Sequence, residues 1–153
     1  WVHHRPCSGW SVMTAKTPSR FHRSMPVIEV SDIEKSAEWY GRVLGLTPGP
    51  FWGDPPAFCI VGRDTITLAL DQSRSQRDGD TRAIPVNQYW AAYFYIEDIG
   101  SYREELLARG AEIFRGPEDA IYGCREIDIK DPDGHILCFA QDLNPSAEGP
   151  GLG

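Results

Sequence analysis

The sequence repeats one pattern of structural signals, and this repeat limits the possible folds more than any other feature. Val30-Ser31-Asp32-Ile33 returns 66 residues later as Ile96-Glu97-Asp98-Ile99. Gly45 and Gly110, which are expected to end two helices, lie 65 residues apart. In each half the pattern predicts a strand, a helix capped by aspartate, a glycine stop and three more strands. The chain therefore contains an internal βαβββ repeat.

The strands are predicted from alternating apolar and polar residues, and the helices from apolar residues at helical spacing. The predicted strands are 26–31, 57–61, 65–70, 89–96, 111–114, 122–129 and 136–140, with an irregular strand or loop near 46–52 and a polar linker over 71–87. Gly116-Pro117 is expected to break the strand before it. We predict an α+β fold in which the two βαβββ repeats form a cupped mixed sheet, with helices on the outer face. The open concave face is the natural place for a ligand.

The ends of the chain differ from its body. Residues 1–24 hold four basic side chains and no acidic one, and they show no apolar periodicity. We interpret them as a disordered leader, although their composition also fits a transit peptide. Residues 25–142 form the predicted domain, with repeats 25–71 and 88–142. Residues 143–153 are rich in glycine and proline and are expected to form a flexible tail.

Composition excludes two classes of partner and indicates a compartment. The formal net charge of −7 over 153 residues argues against a nucleic-acid binder, because phosphate contacts need clustered lysine and arginine. No apolar run approaches the roughly 20 residues of a membrane span. The four cysteines, Cys7, Cys59, Cys124 and Cys138, form no CxxC pair. We therefore predict a reducing, cytoplasmic location.

Three segments together resemble the vicinal oxygen chelate superfamily, which includes glyoxalase I, extradiol dioxygenases and bleomycin-resistance proteins. They are residues 30–46, residues 96–113 and residues 122–142, the last of which contains the turn Asp131-Pro132-Asp133-Gly134. The resemblance implies the cupped fold. The enzymes of this superfamily hold a divalent metal in the cup, with histidine, glutamate or glutamine from four strands as its ligands.

The resemblance places Met25, Thr67, Ala91 and Cys138 at the four metal-ligand positions. These side chains do not form the oxygen and imidazole set that a hard divalent ion needs. A shifted register offers Ala69 for Thr67, and Val27 or Glu29 for Met25, so it adds one carboxylate at most. We therefore predict no metal and no cofactor.

Among members without metal ligands, the chain is most similar to bleomycin-resistance proteins. The similarity lies in residues 58–70 and in the run Tyr122-Gly123-Cys124-Arg125-Glu126. It implies a homodimer that sequesters a cationic, aromatic compound in grooves across its subunits, without a reaction. The alternative is a lyase, isomerase or dioxygenase of the same fold, which uses a metal site in another register or metal-free acid–base catalysis.

The candidate binding residues are mainly aromatic. Strand alternation places Tyr89, Ala91, Tyr93 and Tyr95 on the cup face, while Phe94, Ile96, Leu137 and Phe139 face the helices. Tyrosine rings can stack on planar ligands and attract cations. Phe51, Trp52, Phe58 and Tyr122 could add walls, and Glu29 could meet a cation. The alternative is that these tyrosines fill a dimer interface or a collapsed core.

Other polar groups point less clearly to function. Arg125 and Glu126 are interpreted as a cross-strand ion pair, and Asp131 with Asp133 as turn residues. His135 is expected at an exposed strand edge, where a general base would have no visible partner. Cys138 faces the cup, but no histidine or lysine is evident to lower the pKa of its thiol.

Overall fold

The computed structural model describes residues 17–145, and within them it confirms an α+β fold built from two βαβββ repeats. The predicted leader and tail lie largely outside the described residues. The elements of the first repeat are β1 (Val27–Val30), α1 (Ile33–Trp39, continued by a π-helical turn over Tyr40–Leu44), β2 (Thr47–Trp52), β3 (Phe58–Arg63) and β4 (Ile66–Gln72). A short helix, α2 (Arg74–Arg77), follows. The second repeat holds β5 (Trp90–Tyr95), α3 (Ile99–Ala108), β6 (Arg115–Asp119), β7 (Cys124–Lys130) and β8 (Ile136–Asp142).

The two longer helices, α1 and α3, begin and end as their sequences predict. The Asp32 carboxylate accepts a hydrogen bond from the Lys35 backbone N–H at 3.1 Å, and Asp98 accepts one from Ser101 at 3.0 Å. These contacts satisfy N–H groups that have no partner within the helix. Gly45 ends the first helical segment with φ at 72°, a left-handed conformation that glycine adopts without a steric penalty.

The strands form two four-stranded sheets with the same topology. Their strand orders are β1-β4-β3-β2 and β5-β8-β7-β6, and no ladder joins the two sheets within residues 17–145. In each sheet the first strand of the repeat lies parallel to the last strand, and the other pairs are antiparallel. The edge strands, at which the sheets could be extended, are β1 and β2 in the first sheet and β5 and β6 in the second.

One continuous apolar core joins the two halves. It collects helix-facing residues from both sheets and both helices, including Val30, Leu68, Phe94, Leu106 and Phe139. Because both helix-covered faces share this core, the opposite face of each sheet points away from it. The structure confirms the predicted fold class, and the two repeats form two four-stranded mixed sheets. No helix among the described residues is long and apolar enough to cross a membrane.

Two predicted segments needed correction. The sixth strand lies at Arg115–Asp119 rather than at 111–114, so Gly116-Pro117 sits inside the strand. Gly116 has φ at 94°, and a Cβ there would collide with the Glu126 backbone carbonyl, so glycine permits the close approach of β6 to β7. The predicted linker 71–87 begins inside β4, contains α2 and buries Ile84, which is 5% exposed.

The end of β1 and the helical segment after it are joined to the turn between β7 and β8 by side-chain hydrogen bonds. The Ser31 hydroxyl donates to Asp133 at 2.6 Å, and the Tyr40 hydroxyl donates to Asp131 at 2.8 Å. His135 Nε2 lies 2.6 Å from the Glu29 carbonyl oxygen. The prediction that His135 is exposed is wrong, since only 7% of this residue is exposed. Asp131 and Asp133 are turn residues, as predicted, and they also connect the two halves.

Replacement of Tyr40 by phenylalanine tests how much this joint contributes. Tyr40 is fully buried, and burial, followed by the neighbouring Asp131 charge, raises the pKa of its hydroxyl well above the usual value. The Tyr40→Phe variant leaves a buried Asp131 oxygen without its donor, and we expect a loss of about 1–3 kcal/mol in the free energy of unfolding. Urea denaturation measures it.

Tyr89→Phe is the matched control, because Tyr89 is 80% exposed. Its free energy of unfolding should stay within about 0.5 kcal/mol of the original protein. Equal stability of the two variants would show that the Tyr40–Asp131 contact does not stabilise the joint.

Candidate functional site

A β-bulge in β5 decides which side chains reach the cup face of the second sheet. Trp90 pairs with Ile136 and Ala92 pairs with Leu137, so Ala91 is an extra residue in β5. Ala91 packs against the shared core, and the Trp90 ring lies 5.0 Å from the Tyr93 ring. The prediction that Ala91 faces the cup is therefore wrong, and sequence alternation missed Trp90.

Four aromatic side chains, which we call the aromatic face, occupy this side of the second sheet: Trp90, Tyr93, Tyr95 and Tyr122. The Tyr93 and Tyr95 rings are 5.2 Å apart in an edge-to-face arrangement. Trp90, Tyr95 and Tyr122 remain 40%, 51% and 49% exposed, so ring surface is open to solvent. Tyr89 forms no ring pair with them among the described residues.

Two buried carboxylates lie beneath the aromatic face. Glu126 and Asp128 are 1% and 4% exposed, and they alternate along β7 with Ile127 and Ile129, which belong to the core. The hydroxyls of Tyr93 and Tyr122 both donate to Glu126 Oε2, the first at 2.7 Å. Trp90 Nε1 donates to Asp128 Oδ1 at 3.1 Å. The carboxylates therefore hold three rings by their polar edges.

Arg115 lies against both carboxylates. Its Nε donates to Asp128 Oδ2 at 2.7 Å, and its Nη2 donates to Glu126 Oε1 at 2.8 Å. The hydrogen bond to Asp128, with smaller contributions from Glu126 and Glu118, raises the pKa of the guanidinium further above its usual value. Paired and hydrogen-bonded charges can remain buried, whereas a single unpaired charge would be strongly destabilising.

The predicted ion pair between Arg125 and Glu126 is wrong. Arg125 pairs instead with Asp119 at 2.7 Å, and Glu126 pairs with Arg115. Arg125 and Glu126 are neighbours in β7, so their side chains point to opposite faces of the sheet. The strand alternation that predicted the tyrosines could also have shown that Glu126 and Asp128 share the cup face.

The tyrosine hydroxyls of this site stay protonated at neutral pH. Desolvation by burial, then the hydrogen bond to Glu126, raises the pKa of Tyr93 far above its usual value and that of Tyr122 to about 12. Burial, then a hydrogen bond to Asp128, also raises the pKa of the fully buried Cys138 thiol. These groups can donate hydrogen bonds, but they are poorly suited to act as a base or a nucleophile.

The binding residues predicted in the first half lie on the other sheet. The rings of Trp52 and Phe58 are 5.9 Å apart, and Phe51 occupies the neighbouring position of β2. Glu29 is exposed on the edge strand β1. Within residues 17–145, no ring pair or side-chain hydrogen bond connects these residues to the aromatic face. Of the predicted set, the described residues of one chain therefore bring together only Tyr93, Tyr95 and Tyr122.

The residues at the family's metal-ligand positions do not fit a metal. Thr67 lies on the first sheet, Ala91 packs into the core, and Cys138 is buried with a thiol whose pKa is raised. No cluster of three histidine, cysteine or acidic side chains with metal-ligand geometry occurs in the part of the chain that the structure describes. The nearby carboxylates, Glu126 and Asp128, already accept from Arg115 and from the rings.

Comparison with known proteins identifies the family. Residues 22–139 match the model of the Glyoxalase/Bleomycin resistance protein/Dioxygenase superfamily, and the chain therefore belongs to this superfamily. This confirms the resemblance at the level of the superfamily. No curated protein matches the sequence.

Solved structures support the same fold. The chain is similar to a glyoxalase/bleomycin resistance protein/dioxygenase from Nocardioides, with 24% identity, a TM-score of 0.63 and coverage of 90% of this chain and 93% of that one. It is similar to TioX from Micromonospora sp. ML1, with 18% identity, a TM-score of 0.58 and coverage of 79% and 100%. A bleomycin-binding protein from Streptomyces verticillus, complexed with copper(II)-bleomycin, shares 19% identity, with a TM-score of 0.58 and coverage of 80% and 97%.

Proposed function

We propose that this protein binds a planar, positively charged organic compound on its aromatic face, without a metal and without a reaction, in the manner of antibiotic sequestration. The observation that carries the proposal is the hydrogen bonding of three aromatic edges to the buried pair Glu126 and Asp128. Edges that are held in this way leave the ring faces available for stacking. The rings are ordered before the ligand arrives, which reduces the entropy lost on binding.

Charge favours a cation over a neutral or anionic ligand. The site has two carboxylates, Glu126 and Asp128, for one guanidinium, Arg115, and Glu118 adds a further carboxylate at 3.0 Å from Arg115. A cation above the ring faces is attracted by the rings and by the excess negative charge beneath them. The net charge of −7 would also steer cations toward the protein.

The arrangement supports binding rather than catalysis. The hydroxyls of Tyr93 and Tyr122 are committed to Glu126, and their raised pKa values keep them protonated. His135, the histidine considered as a general base, is buried in the joint between the halves and contacts a backbone carbonyl. The similar fold of a protein complexed with copper(II)-bleomycin makes bleomycin a reasonable first ligand to try.

We also propose that the protein is a homodimer. The aromatic face and the Trp52–Phe58 pair lie on different sheets of one chain, and the four edge strands, β1, β2, β5 and β6, lack a second neighbour within residues 17–145. Two chains could place the first sheet of one opposite the second sheet of the other, which would complete two cups and bring Glu29 to the site.

Free, buried Cys59, Cys124 and Cys138 are consistent with a reducing cytoplasm.

Isothermal titration calorimetry with a matched ligand pair tests the binding proposal. We expect N-methylacridinium, a planar cation, to bind, and its neutral counterpart N-methylacridone to bind at least about tenfold more weakly, as cation–π attraction predicts. The Trp90→Ala variant should weaken acridinium binding by about tenfold, since it removes one ring face. Bleomycin is titrated in parallel as the larger candidate.

Tyr89→Ala provides the matched control, because Tyr89 precedes Trp90 but is 80% exposed and outside the aromatic face. Its affinity for N-methylacridinium should equal that of the original protein. Absence of binding by the acridinium and by bleomycin, or an equal loss in the Tyr89 and Trp90 variants, would contradict the proposed site.

The dimer is tested by sedimentation equilibrium of the unliganded protein. We expect a mass of twice the chain's 17.1 kDa. Tyr95→Arg, which adds a charge to the exposed aromatic face, should shift the equilibrium toward the monomer, whereas Leu107→Arg on the exposed side of α3 should not. A monomer at high micromolar concentration would rule out a cup that is shared between two chains.

A further inference from the structure

The internal repeat gives this fold two equivalent joints, which are held by different contacts. In the first joint, the 131–134 turn is hydrogen-bonded to Ser31, after the end of β1, and to Tyr40 in the π-helical turn that continues α1. In the second joint, Arg63 at the turn between β3 and β4 pairs with Glu105 of α3 at 2.6 Å, and the end of β5 faces the 63–65 turn. None of the hydrogen bonds among the described residues links Glu97 to Asp64 or Thr65. A groove of about 1020 Å³ lies between them.

Two differences between the repeats explain why the contacts of the first joint do not recur in the second. A shift of 66 residues, which aligns the helix starts Ile33 and Ile99, places Glu97 where the first repeat has Ser31. A serine hydroxyl can donate to the aspartate of a turn, whereas a carboxylate can only accept. The same shift places Leu106 at the position of Tyr40, and the helix of this repeat reaches the turn through the Arg63–Glu105 ion pair instead. Glu97 and Asp64 instead line the groove as two acceptors.

The groove combines an apolar floor with an acidic rim. Leu46, Ile66, Ile96 and Phe139 provide apolar surface, while Asp64, Glu97 and Asp142 provide carboxylates. Two other lining carboxylates are already engaged, since Glu105 pairs with Arg63 at 2.6 Å and Asp98 caps α3. Arg63 is the one basic residue of the lining, so carboxylates outnumber cations even after this pair is set aside. The volume is that of a site for a small organic molecule.

We propose that this groove is a second binding site, which shares only Tyr95 with the aromatic face, and that it takes an organic dication with an apolar spacer, such as a linear alkyl diamine. The ammonium groups would lie near Asp64 and Glu97, and the spacer would cover the apolar floor. Such a ligand supplies donors to Asp64 and Glu97, which can only accept hydrogen bonds. A monoamine satisfies one carboxylate only, and a fatty acid anion is repelled by both.

Calorimetry with three probes of equal chain length tests the proposal at low salt. 1,8-Diaminooctane should bind with one-to-one stoichiometry, octylamine at least about fivefold more weakly, and octanoate not at all, because the carboxylates favour positive charge. The double variant Asp64→Asn/Glu97→Gln should weaken diamine binding by at least about fivefold, and a rise in ionic strength should weaken it further.

A control variant distinguishes binding in the groove from attraction of the diamine to the acidic surface as a whole. Glu112→Gln removes an exposed carboxylate that lies outside the groove, and it should leave diamine affinity unchanged. A loss in this variant equal to that of the double variant would show that only the overall negative charge acts, and would overturn the proposal. Absence of saturable binding at about 10 mM diamine would overturn it as well.

Failure of acridinium binding on the aromatic face would leave the expected diamine binding in the groove unchanged. Trp90→Ala should reduce acridinium binding and leave diamine binding unchanged, since Trp90 does not line the groove. Loss of diamine binding in this variant would place the diamine on the aromatic face and would contradict a separate site.

Discussion

The apolar core shared by the two repeats is the constraint on which the rest of the structure depends. Each repeat places one helix on one face of a four-stranded sheet, and burial of both helix-covered faces in the same core joins the halves. The opposite sheet faces are consequently turned away from the core. Any aromatic residue on those faces is left open to a ligand or to a second chain.

The outward face of the second sheet contains two buried carboxylates, which is unusual for a surface. Glu126 and Asp128 are buried, and their acceptor positions are filled by Arg115 and by the polar edges of three rings. Burial of such groups costs free energy unless every partner is present, so the network orders its members together. Of the positions that the resemblance assigns to metal ligands, Ala91 packs against the core and Cys138 is buried, while the rings of Trp90, Tyr95 and Tyr122 remain open to solvent.

Sequence reasoning succeeded where a local signal agreed with the periodicity. The aspartate caps at Asp32 and Asp98, the stop at Gly45 and the repeat itself could be predicted because each depends on neighbouring residues. It failed at Ala91, because one inserted residue in a strand reverses the faces of all preceding side chains and leaves no signature in the sequence. It failed at β6 as well, because a glycine–proline pair can also occur within an edge strand.

The candidate site was predictable in part for the same reason: Tyr93 and Tyr95 follow the bulge, so alternation placed them correctly, whereas Trp90 precedes it. The contacts of Arg115 depend on how β6 lies beside β7 and not on spacing along the chain, so the sequence alone does not predict them.

Elemental analysis tests most directly whether the aromatic face binds its ligand without a metal. The protein is purified without a histidine tag or added metal and is analysed again after incubation with Zn²⁺, Ni²⁺, Mn²⁺ and Fe²⁺, followed by dialysis. We predict far less than one metal ion per chain under every condition. One ion per chain, retained after dialysis and lost when Glu126 or Asp128 is replaced, would contradict metal-free binding and would indicate a metalloenzyme of the same fold.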